Sequence, residues 1–353
     1  MRVTFVLPGA GSVPVGGFKV VYEYANRLTE RGHTITVVHT AQPDKTAAVN
    51  EQLKKGVRFV QRHLDKSYRP DWFRLRPEVS LLWRATPAAR RLPDADAVVA
   101  TAWQTAEWVA EYPSTKGCKF YLIQHYETWS GPKERVDATF GAGLRNLVIA
   151  RWLREPVKAQ GADAAYVPNG LDFGAFGIDT PPESREPRAM FYHGADWKGS
   201  ADGVEALKTV KTQLPELQAT LFGAPAAPEA LPAWIRYERT PTPTELRALY
   251  NESAVFLATS WTEGWGLPGC EALMCGCALA ATNVGGHREY AVDGQTALLS
   301  PPKDPAALAQ NVLKLLQDKA LRLQLAGQGH AYVQRFTWER AVERLEHELS
   351  KHI

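Results

Sequence analysis

The sequence predicts an α/β protein made of two βα domains in tandem, and three observations carry that expectation. Near the start, the apolar run Arg2-Val-Thr-Phe-Val-Leu7 leads through a glycine-bearing loop and an amphipathic segment to a second apolar run, Ile35-Thr-Val-Val38. That is a βαβ opening, for which a right-handed crossover is expected. The same pattern restarts at Ala189-Met-Phe-Tyr-His193, after the polar, proline-rich stretch Pro181-Pro-Glu-Ser-Arg-Glu-Pro187. Finally, 353 residues exceed what one small core organises comfortably, so two domains are the default. The limits read from these signals are 1–180 and 181–336, and a cleft faced by the strand ends of both domains is expected between them.

Composition narrows the function classes. Hydrophobic residues at 45% and charged residues at 22% describe an ordinary globular chain, and a net charge of +3 gives no case for nucleic-acid binding. No run of 18 apolar residues occurs, so no membrane-spanning helix is expected. The first apolar run is too short for a secretory signal, and a cytoplasmic location is expected. Of the four cysteines, Cys270, Cys275 and Cys277 crowd one segment without histidine at ligand spacing, so reduced structural thiols are expected rather than a metal site.

In the first domain, the helix after Gly16-Gly17 has Val20, Val21, Tyr24, Ala25 and Leu28 on one side. The loop before it is not a dinucleotide fingerprint: its glycines miss the required spacing, and no acidic residue ends the second strand. A plain turn and a flexible cleft-facing loop both remain open for it. Val57-Arg-Phe-Val60 reads as a strand, and Tyr68 to Arg91 reads as an irregular insert with interleaved aromatics and arginines. Those arginines either snorkel over apolar surface or meet sugars or acidic lipid heads. Short strands follow at Ala97-Val-Val-Ala100 and Lys119-Phe-Tyr-Leu-Ile-Gln124. The latter delivers His125 and Glu127 at its carboxyl end, where open α/β sheets bind ligands. Asp137 through Arg154 reads as a helix whose Arg145, Arg151 and Arg154 form a basic edge, either solvated or meeting a membrane surface. Ala164-Ala-Tyr-Val-Pro168 is a strand, and Asn169-Gly170 a tight turn.

In the second domain, strands are expected at Ala189–His193, Gln218–Phe222, Trp234–Tyr237, Ala254–Ala258 and Ala278–Ala281. Helices are expected at Ala201–Gln213, from near Thr244, at Pro305–Gln317, at Lys319–Phe336 and from Trp338 to Glu348. Lys198 stands just before one helix, where an ammonium and free amides can share a phosphate. The most telling stretch is Thr259-Ser-Trp-Thr-Glu263-Gly-Trp-Gly-Leu-Pro-Gly-Cys-Glu271-Ala-Leu-Met. It places two carboxylates eight residues apart, one in a glycine-rich loop and one in the first turns of a helix opened by Pro268. Such a layout suits a hydroxyl-rich molecule carrying a phosphate.

These residues resemble a known family. Glu263-x7-Glu271, followed by Gly285-Gly286, Glu289 and Asp293-Gly294, is similar to the signature of the retaining GT-B glycosyltransferases of family 4, the glycogen-synthase-like group (glycosyl transferases group 1). Val167-Pro-Asn-Gly-Leu-Asp172 with Phe176, and the pair Gly16-Gly17, match further motifs of that family, so the resemblance covers nearly the whole chain. It implies two Rossmann-like domains across a deep cleft, with the final helix, about 337–353, packing back on the first. It also implies a donor that is a nucleotide-diphosphate sugar, with UDP, GDP and dTDP all open, and no cofactor. Gly17, Lys198, Gly264, Trp265, Gly266, Leu267 and Glu271 would bind the donor, Glu271 through the ribose and Lys198 through the diphosphate. His125, Lys198 and Glu263 would carry catalysis, with His125 and Glu263 at the transferred sugar, and Glu127 would touch the acceptor.

The chain departs from the family at two places. Gly194 is followed by Ala195 where an arginine is usual, with Arg288 as the candidate replacement, and Thr101-Ala-Trp103 stands where a histidine is usual. No Asp-x-Asp ends a strand, so metal independence is expected. The expected reaction moves a hexose or deoxyhexose to a glycan or lipid-linked acceptor with retention, by same-face attack in which the leaving phosphate takes the acceptor proton. A monomer or homodimer with peripheral contact at the inner membrane face fits that expectation. Two rival readings stay open: a nucleotide-sugar epimerase-type enzyme on the same architecture, and a non-catalytic sugar-nucleotide or glycan-binding module.

Overall fold

A computed structural model describes residues 1–46 and 49–353, without the side chains of 49 and 51–53. The chain groups into two units, Met1–Gly170 with Glu339–Ile353, and Leu171–Trp338. In the first unit, β1 (Arg2–Pro8), α1 (Gly16–Glu30) and β2 (Thr34–Thr40) form the βαβ opening. Then come α2 (Val49–Asp65), β3 (Ser80–Arg84), β4 (Ala97–Ala100), α3 (Trp103–Ala110) and β5 (Cys118–Ile123). Next are α4 (Lys133–Phe140), β6 (Arg145–Val148), α5 (Arg154–Ala159) and β7 (Ala164–Tyr166). The second unit holds β8 (Arg188–His193), α6 (Ser200–Gln213), β9 (Gln218–Gly223), β10 (Ile235–Arg239), α7 (Pro243–Glu252) and β11 (Val255–Ala258). It continues with α8 (Leu267–Met274), β12 (Ala278–Thr282), β13 (Leu298–Ser300), α9 (Pro305–Gln317) and α10 (Lys319–Val333). The chain ends in α11 (Trp338–Ser350). No helix among the described residues is long and apolar enough to cross a membrane.

Both sheets are parallel and share one topology. The first runs β3-β2-β1-β4-β5-β6-β7 and the second β10-β9-β8-β11-β12-β13. In each, the opening strand pairs on one side with its successor and on the other with a later strand: β1 with β2 and β4, β8 with β9 and β11. The strand order therefore reverses there, and the connections leave in opposite directions, opening a crevice beyond the strand ends. The buried strands read as near-continuous apolar runs because helices cover both faces, as all-parallel sheets require. In the second unit Phe191, Leu221, Val255, Leu257 and Ala280 pack against Leu207 and Val210 of α6 and Leu308, Val312 and Leu315 of α9.

Four readings of the sequence are corrected. Residues 57–60 lie within α2, not a strand: Val57, Val60 and Leu64 recur at three and four residues, the helical spacing, and all three are exposed. The expected helix from Asp137 to Arg154 is α4, β6 and a 3₁₀ turn into α5. α4 ends at Phe140 with Gly141 as its cap, Gly143 turns the chain at φ +79°, and Leu147-Val148-Ile149 is a buried strand-like run that periodicity cannot tell from a helix. Its basic edge does not form: Arg145 opens a strand, while Arg151 and Arg154 lie over the Tyr166 ring. The insert from Tyr68 to Arg91 contains the edge strand β3, with Tyr68 and Trp83 buried and stacked at 5.7 Å.

The proline-rich stretch belongs to the second unit, where Arg185 anchors it. That buried guanidinium donates to the carbonyls of Thr180 (2.7 Å), Ser253 (2.9 Å) and Cys275 (2.6 Å). Where the chain enters and leaves this unit, Leu171 and Thr337 form a parallel bridge, and the Leu171 amide donates to the Phe336 carbonyl. In the first unit, α11 buries Ala341, Val342, Leu345 and Leu349, and its Glu346 bonds Arg31 and His33 beyond α1.

Candidate active site

The second unit's crevice lies beyond the ends of β8 and β11, and the two loops there are laced together. After β8 the chain makes a 3₁₀ turn over Asp196–Lys198 and enters α6 through Gly199, at φ +63°. A Cβ on Gly199 would lie 2.2 Å from the Thr259 carbonyl oxygen, so only glycine allows the loops to approach this closely. Thr259 Oγ1 donates to the Lys198 carbonyl (2.6 Å), and the Trp261 amide donates to the Trp197 carbonyl (2.7 Å). These bonds fix the backbone under Lys198, whose Nζ donates to Glu263 Oε2 at 2.6 Å. Ser260 Oγ donates to the same oxygen at 3.0 Å. Glu263 is 9% exposed, and its own carbonyl accepts the Gly286 amide at 2.9 Å.

The loop then turns into α8. Gly266, at φ +94°, precedes the helix and Pro268 occupies its second position, where a missing N–H matters little. Tyr290 Oη donates to the Gly266 carbonyl (2.8 Å) and leaves no room for a Cβ on Gly266 or Gly269. Glu271 is buried within α8, and its Oε2 accepts the Tyr250 hydroxyl at 3.1 Å. A small pocket beneath the crevice is lined by Lys198, Glu263, Gly266, Pro268 and His287. His287 was missed in the sequence; its only signal was its place directly after Gly285-Gly286. Its Nδ1 donates to the Thr282 carbonyl (2.9 Å), and burial lowers its pKa below the ordinary imidazole value.

In the first unit, Gly17 is the second residue of α1 rather than part of a loop, and its carbonyl accepts the Gln124 side-chain amide at 3.1 Å. Next along the chain, His125 is half-buried between two indoles, edge-on to Trp129 at 4.3 Å and to Trp152 at 5.6 Å. Glu127 Oε2 accepts the Trp103 amide at the start of α3 (3.1 Å), and burial raises its pKa to about 7. Thr101 is buried and donates through Oγ1 to the Val6 carbonyl.

The structure thus brings Lys198, Glu263, Gly264, Trp265, Gly266, Leu267 and Glu271 onto two adjoining loops and one helix of the second unit. Gly17, His125 and Glu127 belong to the first unit. Arg288 is exposed and held by Asn283, through its side-chain oxygen (2.7 Å) and its carbonyl (3.3 Å). Trp265 is buried edge-on against Phe336, which withdraws its ring from stacking on a ligand. Trp261 donates to Asp202 in α6, with Lys303 over its ring. No group of three or more His, Cys, Asp or Glu placed to hold a metal occurs among the described residues. What the loops present is an ammonium, a carboxylate and glycine-rich backbone at the starts of two helices.

The sequence profile described as glycosyl transferases group 1 matches residues 188–318. The O-antigen chain mannosyltransferase B of Escherichia coli is 35% identical over 106 residues, 30% of this chain and 27% of that protein. The match to an uncharacterized glycosyltransferase of Methanocaldococcus jannaschii likewise spans 28% of its length, so these two alignments cover about a quarter of either relative. A phosphatidyl-myo-inositol mannosyltransferase of Mycobacterium tuberculosis is 25% identical over 96% of this chain and 93% of its own. Among solved structures, Anabaena HepE in complex with UDP-glucose has a TM-score of 0.75 at 15% identity, over 99% of this chain and 100% of that one. Sucrose-phosphate synthase from Thermosynechococcus elongatus has 0.73 at 15% identity, over 99% and 98%. These likenesses show the fold: two Rossmann-like units of the GT-B architecture.

Proposed function

We propose that the chain is a retaining glycosyltransferase of family 4 that moves a hexose or deoxyhexose from a nucleotide-diphosphate sugar to a glycan or lipid-linked acceptor, without a metal ion. The observation that carries this is the Lys198–Glu263 pair, held by interlaced loops at the second unit's switch point. The full-length relative named as a mannosyltransferase and the Anabaena fold neighbour holding UDP-glucose support the substrate class. Breaking the bond between anomeric carbon and phosphate oxygen puts negative charge on the leaving diphosphate. An ammonium and helix-start amides fixed beforehand stabilise that charge without reorganising, which is the main electrostatic route to catalysis. Lys198 has three N–H donors and spends one on Glu263, so it can serve a phosphate while Glu263 takes sugar hydroxyls. Glu271 takes the ribose, and His125 a hydroxyl of the transferred sugar. The acceptor oxygen bonds to the anomeric carbon on the face the diphosphate leaves, and its proton passes to the departing phosphate oxygen. With Arg288 engaged by Asn283, the diphosphate relies on Lys198 and backbone amides.

The test begins with UDP, GDP and dTDP screened by thermal unfolding, since a ligand at a hundred times its Kd stabilises by about 2.7 kcal/mol. The matching nucleotide sugars follow, with and without acceptors. Transfer by the wild type and its loss in Glu263→Ala are expected. Full transfer by Glu263→Ala would overturn the assignment. Epimerised free sugar without acceptor would point to the epimerase reading, and nucleotide binding without turnover to a binding module.

A further inference from the structure

Glu271 is held by a residue outside the donor loops. Tyr250, near the end of α7, is fully buried, and its hydroxyl donates to Glu271 Oε2 at 3.1 Å. Its ring stands among Phe176 (5.8 Å), Phe222 (6.0 Å) and Phe256 (5.7 Å), edge-on to the first two. An aromatic cage of this kind packs a phenylalanine as well as a tyrosine. The hydroxyl adds nothing to that packing, and left unpaired in so apolar a place it would be costly. Its bond to Glu271 is what accounts for it.

The backbone under the ring is firmly held too. The Tyr250 carbonyl accepts the Ser253 amide (3.1 Å), Cys277 Sγ (3.1 Å) and Arg185 Nη1 (3.3 Å). At its other end α7 starts in a reciprocal cap: Thr242 Oγ1 accepts the Glu245 amide (3.3 Å), and the Glu245 carboxylate accepts the Thr242 amide (2.8 Å). Burial also pushes the Tyr250 pKa well above the ordinary phenol value, so the hydroxyl remains a donor at any assay pH near neutrality. A glutamate side chain has three rotatable bonds, and a ligand that has to still them gives up binding energy. A fixed donor on one oxygen stills them beforehand. It occupies one of roughly four lone-pair sites of the carboxylate, which is compatible with acceptance of ribose hydroxyls. We propose that Tyr250 is a positioning residue of the donor site: its hydroxyl aims the Glu271 carboxylate at the ribose and so sets a preference for a ribonucleotide over its 2′-deoxy form. The proposal rests on the glycosyl-transfer reading, in which Glu271 takes the ribose, and Tyr250 acts through Glu271 alone.

The probes are UDP, GDP and their 2′-deoxy forms, with affinities measured by calorimetry on the full chain. Wild type, Tyr250→Phe, Phe176→Leu and Lys198→Ala are compared. A site built to bond a hydroxyl rejects the analogue lacking it, so the wild type should bind the ribonucleotide at least about tenfold tighter. In Tyr250→Phe the ribonucleotide should weaken by about tenfold, the scale of one side chain newly ordered on binding, while the 2′-deoxy form stays within about twofold. The preference then collapses, a coupling between two groups that never meet. Phe176→Leu disturbs the same cage without touching the hydroxyl, and should lower the unfolding midpoint with the preference intact. Equal weakening of both forms in Tyr250→Phe, an unchanged preference, a preference lost equally in Phe176→Leu, or a Tyr250→Phe chain that does not fold makes the hydroxyl structural and overturns the proposal. A wild type that does not distinguish the two forms overturns it together with the ribose role of Glu271. Loss of nucleotide binding in Lys198→Ala then leaves the phosphate side of the glycosyl-transfer reading standing. Binding of neither ribonucleotide overturns both.

Discussion

Replacing Lys198 by alanine separates a structural ion pair from a phosphate ligand. Nζ lies 2.6 Å from Glu263 Oε2, with 24% of the lysine side chain and 11% of the glutamate exposed. Removing one partner of a fully buried pair costs about 3–5 kcal/mol because the survivor is stranded. Here water reaches the lysine end and Ser260 still donates to the carboxylate, so the stability loss should be about 1–2 kcal/mol. That lowers the unfolding midpoint by about 2–8 °C. Catalysis should suffer more, because a preorganised charge aimed at the leaving group is typically worth about a hundredfold to a thousandfold in kcat. The assay is steady-state transfer from the nucleotide sugar found in the screen, with thermal unfolding in parallel. Glu263→Gln and the double variant complete a cycle that isolates the pair's coupling. A kcat/KM within about threefold of wild type, under 1 kcal/mol, beside a clear loss of stability would make Lys198 a structural partner only.

Gly266→Ala should destabilise the second unit by about 1–3 kcal/mol, since the backbone sits at φ +94° and the new Cβ would meet Tyr290 Oη at 2.5 Å; denaturant midpoints check it, and an unchanged midpoint refutes the close-packing argument. Arg185→Met should cost at least about 3 kcal/mol by stranding buried carbonyls, read from the same curves. Glu127 ionises near pH 7 in the fold, above the ordinary carboxyl value of 4.5. Between those values the folded state holds the extra proton, so stability from this group is full at low pH and declines as pH rises towards about 7. Unfolding at pH 5 and pH 8 should show that decline in the wild type, and Glu127→Gln should flatten it.

How much of this was legible in the sequence depended on whether the information was local. Strands such as β8, β9, β11 and β12 were readable because a buried parallel strand is a short apolar run closed by turn residues. The loop carrying Glu263 and the helix carrying Glu271 were readable because glycine and proline mark both the turn and the helix start. What failed was anything set by partners distant in sequence. Residues 145–148 are a strand because β5 and β7 lie on either side, which no periodicity shows. Arg185 looked like part of a polar linker because its carbonyl partners lie up to 90 residues further along the chain. Nothing near Trp265 in the sequence shows that Phe336 covers its ring, and His287 carried no mark beyond its two preceding glycines.

Seen in order of synthesis, the second unit is a guest inserted into a host, because the chain leaves the first unit at Gly170 and rejoins it at Glu339. The guest is contiguous, with its entry and exit bridged at Leu171 and Thr337, and can close as soon as it emerges from the ribosome. The host cannot. Its Arg31 and His33 wait for Glu346, and the surfaces that Leu345 and Leu349 cover stay open until the last helix is made. The part of this chain translated first is therefore completed last, once residues 339–350 have joined it.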